Sequence, residues 1–486
     1  MQVQWHESWI GLRPSKTRIP FRYGRACLER CPQLLVRVTV EVDGRLADGF
    51  AGDCLPPGWF DKTPGKDYAR QLDEMLATIE AAREEYAGAL HQPTAFFPVW
   101  LELQHRIESW CSQREVVPLL ASFGLSLWER AILDAACRAH HIGFARAARD
   151  NLFGIDAGRA HKTLQGVVPA DWLPKEPRKR IAVRHTVGMG DALRPDDISD
   201  EERLDDGRPQ ALQEYIRQLG IRFFKIKLSG DPAADLRRLL EVTSVIEEDL
   251  PNEYGVTLDG NEQFDDWESL RELLIQLSRE PRLTRLWNHT LAIEQPLPRS
   301  RALETSLESL RGLLGGKPVI IDESDGTLDA YARAIELGYG GVSSKNCKGA
   351  MRAILNAGLA WHTSRSDPSH SQIITGEDLC SVGVIPVQAD LCLAATLGLD
   401  HVERNGHHFH PGLTYLPAHS REEAIEAHPD FYTRIEGVVS PHVQEGDFLI
   451  ESFHGEGFGF RWRPRESDWR SPESIDWTSF LAETQS

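Results

Sequence analysis

The stretch RFFKIKLSGD, residues 222–231, decides the fold. Alternation predicts a strand with Phe224, Ile226 and Leu228 on one face and Phe223, Lys225 and Lys227 on the other. If one face is wet, the lysines are ordinary solvated charges. If both faces are covered, two ammonium groups lie inside the protein, where they are costly unless they are paired or at work.

The surrounding sequence favours the covered strand. Beyond residue 180, short strand-like runs alternate with helical patterns. The strands fall near 180–188, 223–228, 255–261, 291–296, 318–324, 340–345, 372–378 and 400–405, with helical patterns over 231–250, 266–280 and 327–338 between some of them. Repeated β-helix-β units predict a parallel sheet, and eight strands predict closure into a barrel. A doubly wound open sheet is the alternative. Before this region, 33–44 reads as a strand ending in an Asp-Gly turn, 67–90 and 126–141 as helices, and DWLPKEPRKR (171–180) as a linker. Residues 406–486 are rich in Trp, His and Pro and carry no further strand–helix rhythm.

Composition narrows the function. The chain has 486 residues, 54 Lys plus Arg against 73 Asp plus Glu, and a formal charge of −19. So acidic a chain is poorly suited to nucleic acid or an anionic membrane. No apolar run is long enough to span a bilayer, and the opening MQVQWHESWIGLRPSK lacks the apolar core of a signal peptide. The eight cysteines form no CxxC pair and read as buried thiols. These features predict a cytoplasmic protein in a reducing compartment.

Three successive strands end in carboxylates: VTLDGN at Asp259, AIEQP at Glu294, and PVIIDES at Asp322 and Glu323. In a barrel, strand C-termini build the site, so these acids meet at the mouth. Grouped carboxylates repel unless a cation lies among them, and an all-oxygen set suits Mg²⁺. The apolar run before Asp322 and Glu323 leaves the choice between those two open. GGVSSKNCKG then places Lys345 at the next strand end, across the mouth from Lys227, with Lys348 beside it as a solvated loop lysine. Repulsion between Lys225 and Lys227, together with burial, is expected to ease deprotonation of one of them to a base.

KIK, LDGN, IEQP, IDES and SSKNCKG, in this order, resemble the enolase superfamily, and within it the muconate lactonizing enzyme-like branch of the mandelate racemase/muconate lactonizing enzyme family. RIPFRYG (18–24) and LWERAILDAACRA (127–139) resemble that family's substrate-closing loop and the helix before its barrel. The resemblance implies a (β/α)₇β barrel under an N-terminal α+β cap, with the cap over 1–175, the barrel over 176–405, and 406–486 packing back on the cap. It implies one Mg²⁺, which Mn²⁺ can replace, on Asp259, Glu294 and Asp322. It also implies Lys227 and Lys345 as acid and base on opposite faces of a carboxylate substrate, with Lys225 positioning the carboxylate and depressing the pKa of Lys227. The implied reaction is removal of an α-proton to a metal-stabilised enediolate. Racemisation or epimerisation leads, with syn-elimination or cycloisomerisation as alternatives, and a homo-oligomer is possible.

The last strands depart from the family pattern. TGEDLCSVG places Glu377 and Asp378 at the seventh strand end, and HVERNG places Glu403 at the eighth without the Asp-x-Asp pair that binds a dipeptide ammonium. These acids predict a substrate with a cationic or hydroxyl-rich portion. Phe21, Tyr23, Trp59 and Phe60 are candidates to line the cap. HHFHPG (407–412) reads as a surface histidine cluster, and His185 is the one strand histidine that a hydrolase-type metal site would use. A non-catalytic barrel is disfavoured because both lysines and all three acids are present.

Overall fold

The computed structural model describes residues 1–23 and 26–483. Its first part is a four-stranded antiparallel sheet in the order β5-β4-β1-β6, with β1 at Gln2–Arg13, β4 at Gln33–Val42, β5 at Arg45–Cys54 and β6 at Thr94–Ala95. A separate hairpin of β2 (Lys16–Tyr23) and β3 (Ala26–Arg30) interrupts it. In β4 the alternating residues Leu34, Val36, Val38, Val40 and Val42 are buried, as a half-covered strand requires. Three helices cover the sheet: α1 (Tyr68–Ala89), α2 (Phe96–Gln113) and α3 (Pro118–Ala139). Asp67 caps α1 by accepting from the Arg70 amide at 2.8 Å. Gly49 of β5 lets α3 approach closely, since a Cβ there would meet the Ala131 carbonyl at 1.9 Å.

Eight parallel strands then close into a barrel: β7 (Arg180–Val187), β8 (Phe223–Lys227), β9 (Gly255–Asp259), β10 (Thr290–Glu294), β11 (Val319–Ile321), β12 (Gly341–Ser344), β13 (Ile373–Gly376) and β14 (His401–Arg404). Pairing of β14 with β7, Glu403 opposite Arg184, shuts the ring and excludes the open sheet. The helices include α4 (Pro232–Asp249), α5 (Trp267–Arg279), α6 (Ala350–Ser366) and α7 (Ile385–Thr396). Asp231 and Asp266 cap α4 and α5 on their first-turn amides. Phe224 and Ile226 are buried, while Lys225 and Lys227 make their ion pairs with acids of other barrel strands. The strand is covered on both faces.

The C-terminal segment contacts both cap and barrel. It forms a hairpin, β15 (Tyr432–Ile435) and β16 (Val438–Pro441), and a short β17 (Asp447–Leu449) that pairs antiparallel with β7. Further on, Arg470 pairs with Leu12 of β1, and Trp469 packs edge-on against Trp9 at 6.5 Å. Among the described residues, no helix is long and apolar enough to cross a membrane.

Candidate active site

Strand register builds the site. Lys227 lies opposite Asp259, and Asp259 opposite Glu294, so three adjacent strand ends present a lysine and two acids side by side. Lys227 Nζ donates to Asp259 Oδ2 at 2.6 Å. Lys225 Nζ meets Glu377 at 2.7 Å, Glu294 at 2.8 Å, Asp259 at 3.0 Å and Glu403 at 3.1 Å. Across the mouth, Lys345 Nζ donates to Asp322 Oδ2 at 2.6 Å and lies 4.1 Å from the centre of the Trp59 ring, which caps it from above. Asp322 therefore takes the place in the lysine network that the sequence left open. Glu323 turns toward Asn261 and the cap's Lys62.

The surroundings of Lys225 and Lys345 favour their charged forms. Burial alone lowers the Lys225 pKa, but Asp259, Glu294, Glu377 and Glu403 raise it well above the ordinary value, so Lys225 is a fixed ammonium. Lys345 is likewise raised: burial opposes the charge and Asp322 outweighs it. Burial acts against the charge of Asp322 too, but Lys345 and Lys348 hold this carboxyl far below its usual range.

The donor chemistry of Asp259, Glu294 and Asp322 fits a hard divalent ion. Burial, then Asp259 and Glu377, push Glu294 well above the carboxylate range, and its Oε2 is buried without a partner. A divalent cation would give that oxygen a partner. Among the described residues the acids are not drawn around a common point, because Lys225 bridges Asp259 and Glu294 while Lys345 and Lys348 engage Asp322. A metal ion has to displace these lysine contacts.

A cavity of about 30 Å³, room for roughly two waters, lies over this floor. Lys225, Lys227, Lys345, Asn261 and Glu403 line it below, and Phe21, Leu28, Pro56 and Trp59 of the cap close it above. Phe60 is buried against Phe123 instead of lining it. Of the resembling loop, the Tyr23 side chain and Gly24 lie outside the described residues.

The acids of the last strands do not form an open anionic wall. Glu377 accepts from Arg184 and Lys225, both fully buried. Asp378 accepts from the Ser381 and Asn405 amides and pairs with Arg404; burial nevertheless pushes its carboxyl up to about 6. Glu403 accepts from Thr186, Asn405 and Lys225. Both oxygens of each acid are engaged within the protein. Asp378 and Glu403 line the cavity with these oxygens already engaged.

Two further residues were not assigned to the site from sequence. Lys348, expected in solvent, is 3% exposed and donates to the Ser343 carbonyl and hydroxyl at 2.8 Å and to Asp322 at 3.3 Å. Its place in SSKNCKG, three residues after Lys345, is the one signal for it. Arg184, in RIAVRHTV, shares the inward alternation with Thr186. That alternation marked its face, but its partner Glu377 follows β13, which becomes a near neighbour only through the β14–β7 closure. The histidine cluster is also corrected: His408 and His410 are buried, and His185 stacks on Tyr215 at 4.3 Å, facing away from the acids. A hydrolase-type site through His185 is excluded by that orientation.

No family model and no curated sequence matches the chain. Solved structures do. The muconate lactonizing enzyme from Pseudomonas fluorescens complexed with muconolactone superposes with a TM-score of 0.58 at 15% identity, covering 96% of this chain and 99% of that one. N-succinyl Arg/Lys racemase from Bacillus cereus gives 0.56 at 12%, covering 95% and 96%. An enolase from Bradyrhizobium complexed with magnesium and mandelic acid gives 0.52 at 15%, covering 95% and 97%. Capped barrel, strand order and these superpositions agree: the chain has the fold of the enolase superfamily, in the form of its mandelate racemase/muconate lactonizing enzyme-like members.

Proposed function

We propose that the protein is an enzyme that removes and returns the α-proton of a small carboxylate, as a racemase or epimerase. The observation that carries this reading is the placement of Lys227 and Lys345 on the wall of one cavity, each hydrogen-bonded to a different strand-end acid. Asp259, Glu294 and Asp322 would hold Mg²⁺, with Mn²⁺ as substitute, and the ion would supply Lewis-acid stabilisation of negative charge on the substrate carboxylate. Lys225, a fixed ammonium beside these acids, adds electrostatic stabilisation. Lys345 starts as an ammonium and delivers a proton, while Lys227 is the counterpart base. Trp59 over Lys345 and the apolar residues of the cap limit the access of bulk water to the site. The neighbours' reactions, a lactonization and a racemisation, are those of the named enzymes and lend support only through the shared fold.

Isotope exchange tests the assignment. With a carboxylate substrate in D₂O, Lys227→Ala abolishes turnover but leaves α-hydrogen exchange of one enantiomer through Lys345, and Lys345→Ala shows the reverse. Near-normal turnover in both variants refutes the two-base reading. If only one variant loses activity, the reaction is a one-base syn-elimination or cycloisomerisation.

A further inference from the structure

We infer that Arg299 is a positioning residue: with Glu262 it latches the cap turn that carries Trp59 to the barrel, and so seats the Trp59 ring over Lys345. The bearing of this latch on catalysis rests on the proton-abstraction reading above; the latch itself does not.

The turn has carbonyls that need outside donors. Pro57–Phe60 is a single helical turn, in which the Trp59 amide donates to the Pro56 carbonyl at 3.1 Å and the Asp61 amide to the Pro57 carbonyl at 2.9 Å. A helix this short leaves its last carbonyls, those of Trp59 and Phe60 among them, without a donor of its own. Arg299, in the barrel loop after β10, fills the gap. Its Nη1 donates to the Phe60 carbonyl at 2.8 Å and its Nη2 to the Trp59 carbonyl at 3.0 Å. The Trp59 ring leans on Phe60, 4.9 Å away between centres, and lies over Lys345 Nζ at 4.1 Å. Where its backbone is held sets where that ring sits.

Glu262, in the loop after β9, fixes the guanidinium. Its carboxylate accepts from Arg299 Nε and Nη2, each at 2.8 Å, and from the Arg299 amide at 2.6 Å. This fork leaves Nη1 and one proton of Nη2 for the cap. A second tether comes back from the cap, where Lys62 Nζ pairs with Glu262 at 2.6 Å and donates to the Asn261 carbonyl at 3.2 Å. Asn261 and Glu262 both lie in the left-handed region, with φ of 43° and 67°. Residues with side chains keep that costly conformation where surrounding contacts over-determine it. The Asn261 amide in turn donates to Asp259, the partner of Lys227. One connected chain therefore runs from the Lys227 side of the cavity, through Glu262 and Arg299, to the ring above Lys345. Adhesion alone could use any cap group; this latch bonds the carbonyl of the residue whose ring covers a lysine of the site.

Fluorine NMR of the full chain labelled with 5-fluorotryptophan tests the latch without a substrate. The Trp59 resonance is the one lost in Trp59→Phe. Lys345→Met is expected to move that resonance, because the cation leaves its ring. In Arg299→Met the solvent isotope shift of Trp59 between H₂O and D₂O is expected to rise about threefold or more, while the other tryptophans keep theirs. In the same background, Lys345→Met is expected to move the Trp59 resonance no further. An unchanged Trp59 in Arg299→Met, an equal rise at all tryptophans, or a Lys345→Met displacement that survives the loss of Arg299 overturns the inference. If Arg299→Met does not fold, Glu262→Ala, which frees the guanidinium, takes its place with the same outcomes. Isotope exchange of a carboxylate substrate is an independent readout. Its failure removes proton abstraction and leaves the latch, whereas an unchanged Trp59 removes the latch and leaves proton abstraction.

Discussion

Arg184 and Glu377 form an ion pair with no solvent access at the centre of the barrel. Such a pair is stable only as a pair, since either partner alone is an uncompensated buried charge. Arg184→Met is expected to lower unfolding free energy by about 3–5 kcal/mol in urea titration. The double variant Arg184→Met/Glu377→Met is expected to be more stable than Arg184→Met, because Lys225 keeps three other carboxylates. Simple addition of the two single effects contradicts this account.

Lys348 is built into the structure, not solvated. Removing its ammonium strips donors from the Ser343 carbonyl and from Asp322. Lys348→Met is expected to cost about 1–3 kcal/mol by the same titration, whereas the exposed Lys179→Met is expected to leave the midpoint unchanged. Equal effects at the two positions would place Lys348 outside the network.

Acid sensitivity follows from the buried histidines. Burial lowers His185 to about 3 and His410 to about 4, so both are neutral in the fold and take up protons on unfolding below about pH 6.5. The unfolded state then binds more protons than the native one, and stability rises with pH across this window. Each histidine adds up to about 1.4 kcal/mol per pH unit to that slope. Urea midpoints between pH 7.5 and 5.0 are expected to fall with acid, and His185→Gln is expected to flatten the fall.

Calorimetry is expected to show one Mg²⁺ per chain, lost in Glu294→Ala. At a hundred times its Kd the ion stabilises the fold by about 2.7 kcal/mol, seen as a higher Tm. Unchanged binding in Glu294→Ala removes this acid from the ligand set.

The barrel was legible because its two-faced strands and their acidic ends recur in order. Alternation placed Lys225 and Lys227 inward, and the strand-end acids fell where register puts them. The cap was less legible: β1, β5 and α2 were missed, since their pairing is set by distant partners. Partners across a closed ring were not legible at all. Glu377 and Glu403 looked like free acids in sequence because Arg184 and Lys225 reach them only once β14 meets β7. Lys348 was misread for a different reason: the turn that carries it folds back over Ser343 of β12 and Asp322 after β11.

Arg13 of the first strand donates to the Asp468 carbonyl, 455 residues away, and Leu12 pairs with Arg470 beside it. On a ribosome the first strand is made more than four hundred residues before these neighbours. The barrel strands are complete while that edge still waits, so the cap reaches its finished state after the barrel has been made. Contacts of such separation slow folding and leave the waiting edge open to other chains. A bulky fusion placed after residue 483 therefore burdens the last step of assembly, whereas the site itself lies far from it in sequence.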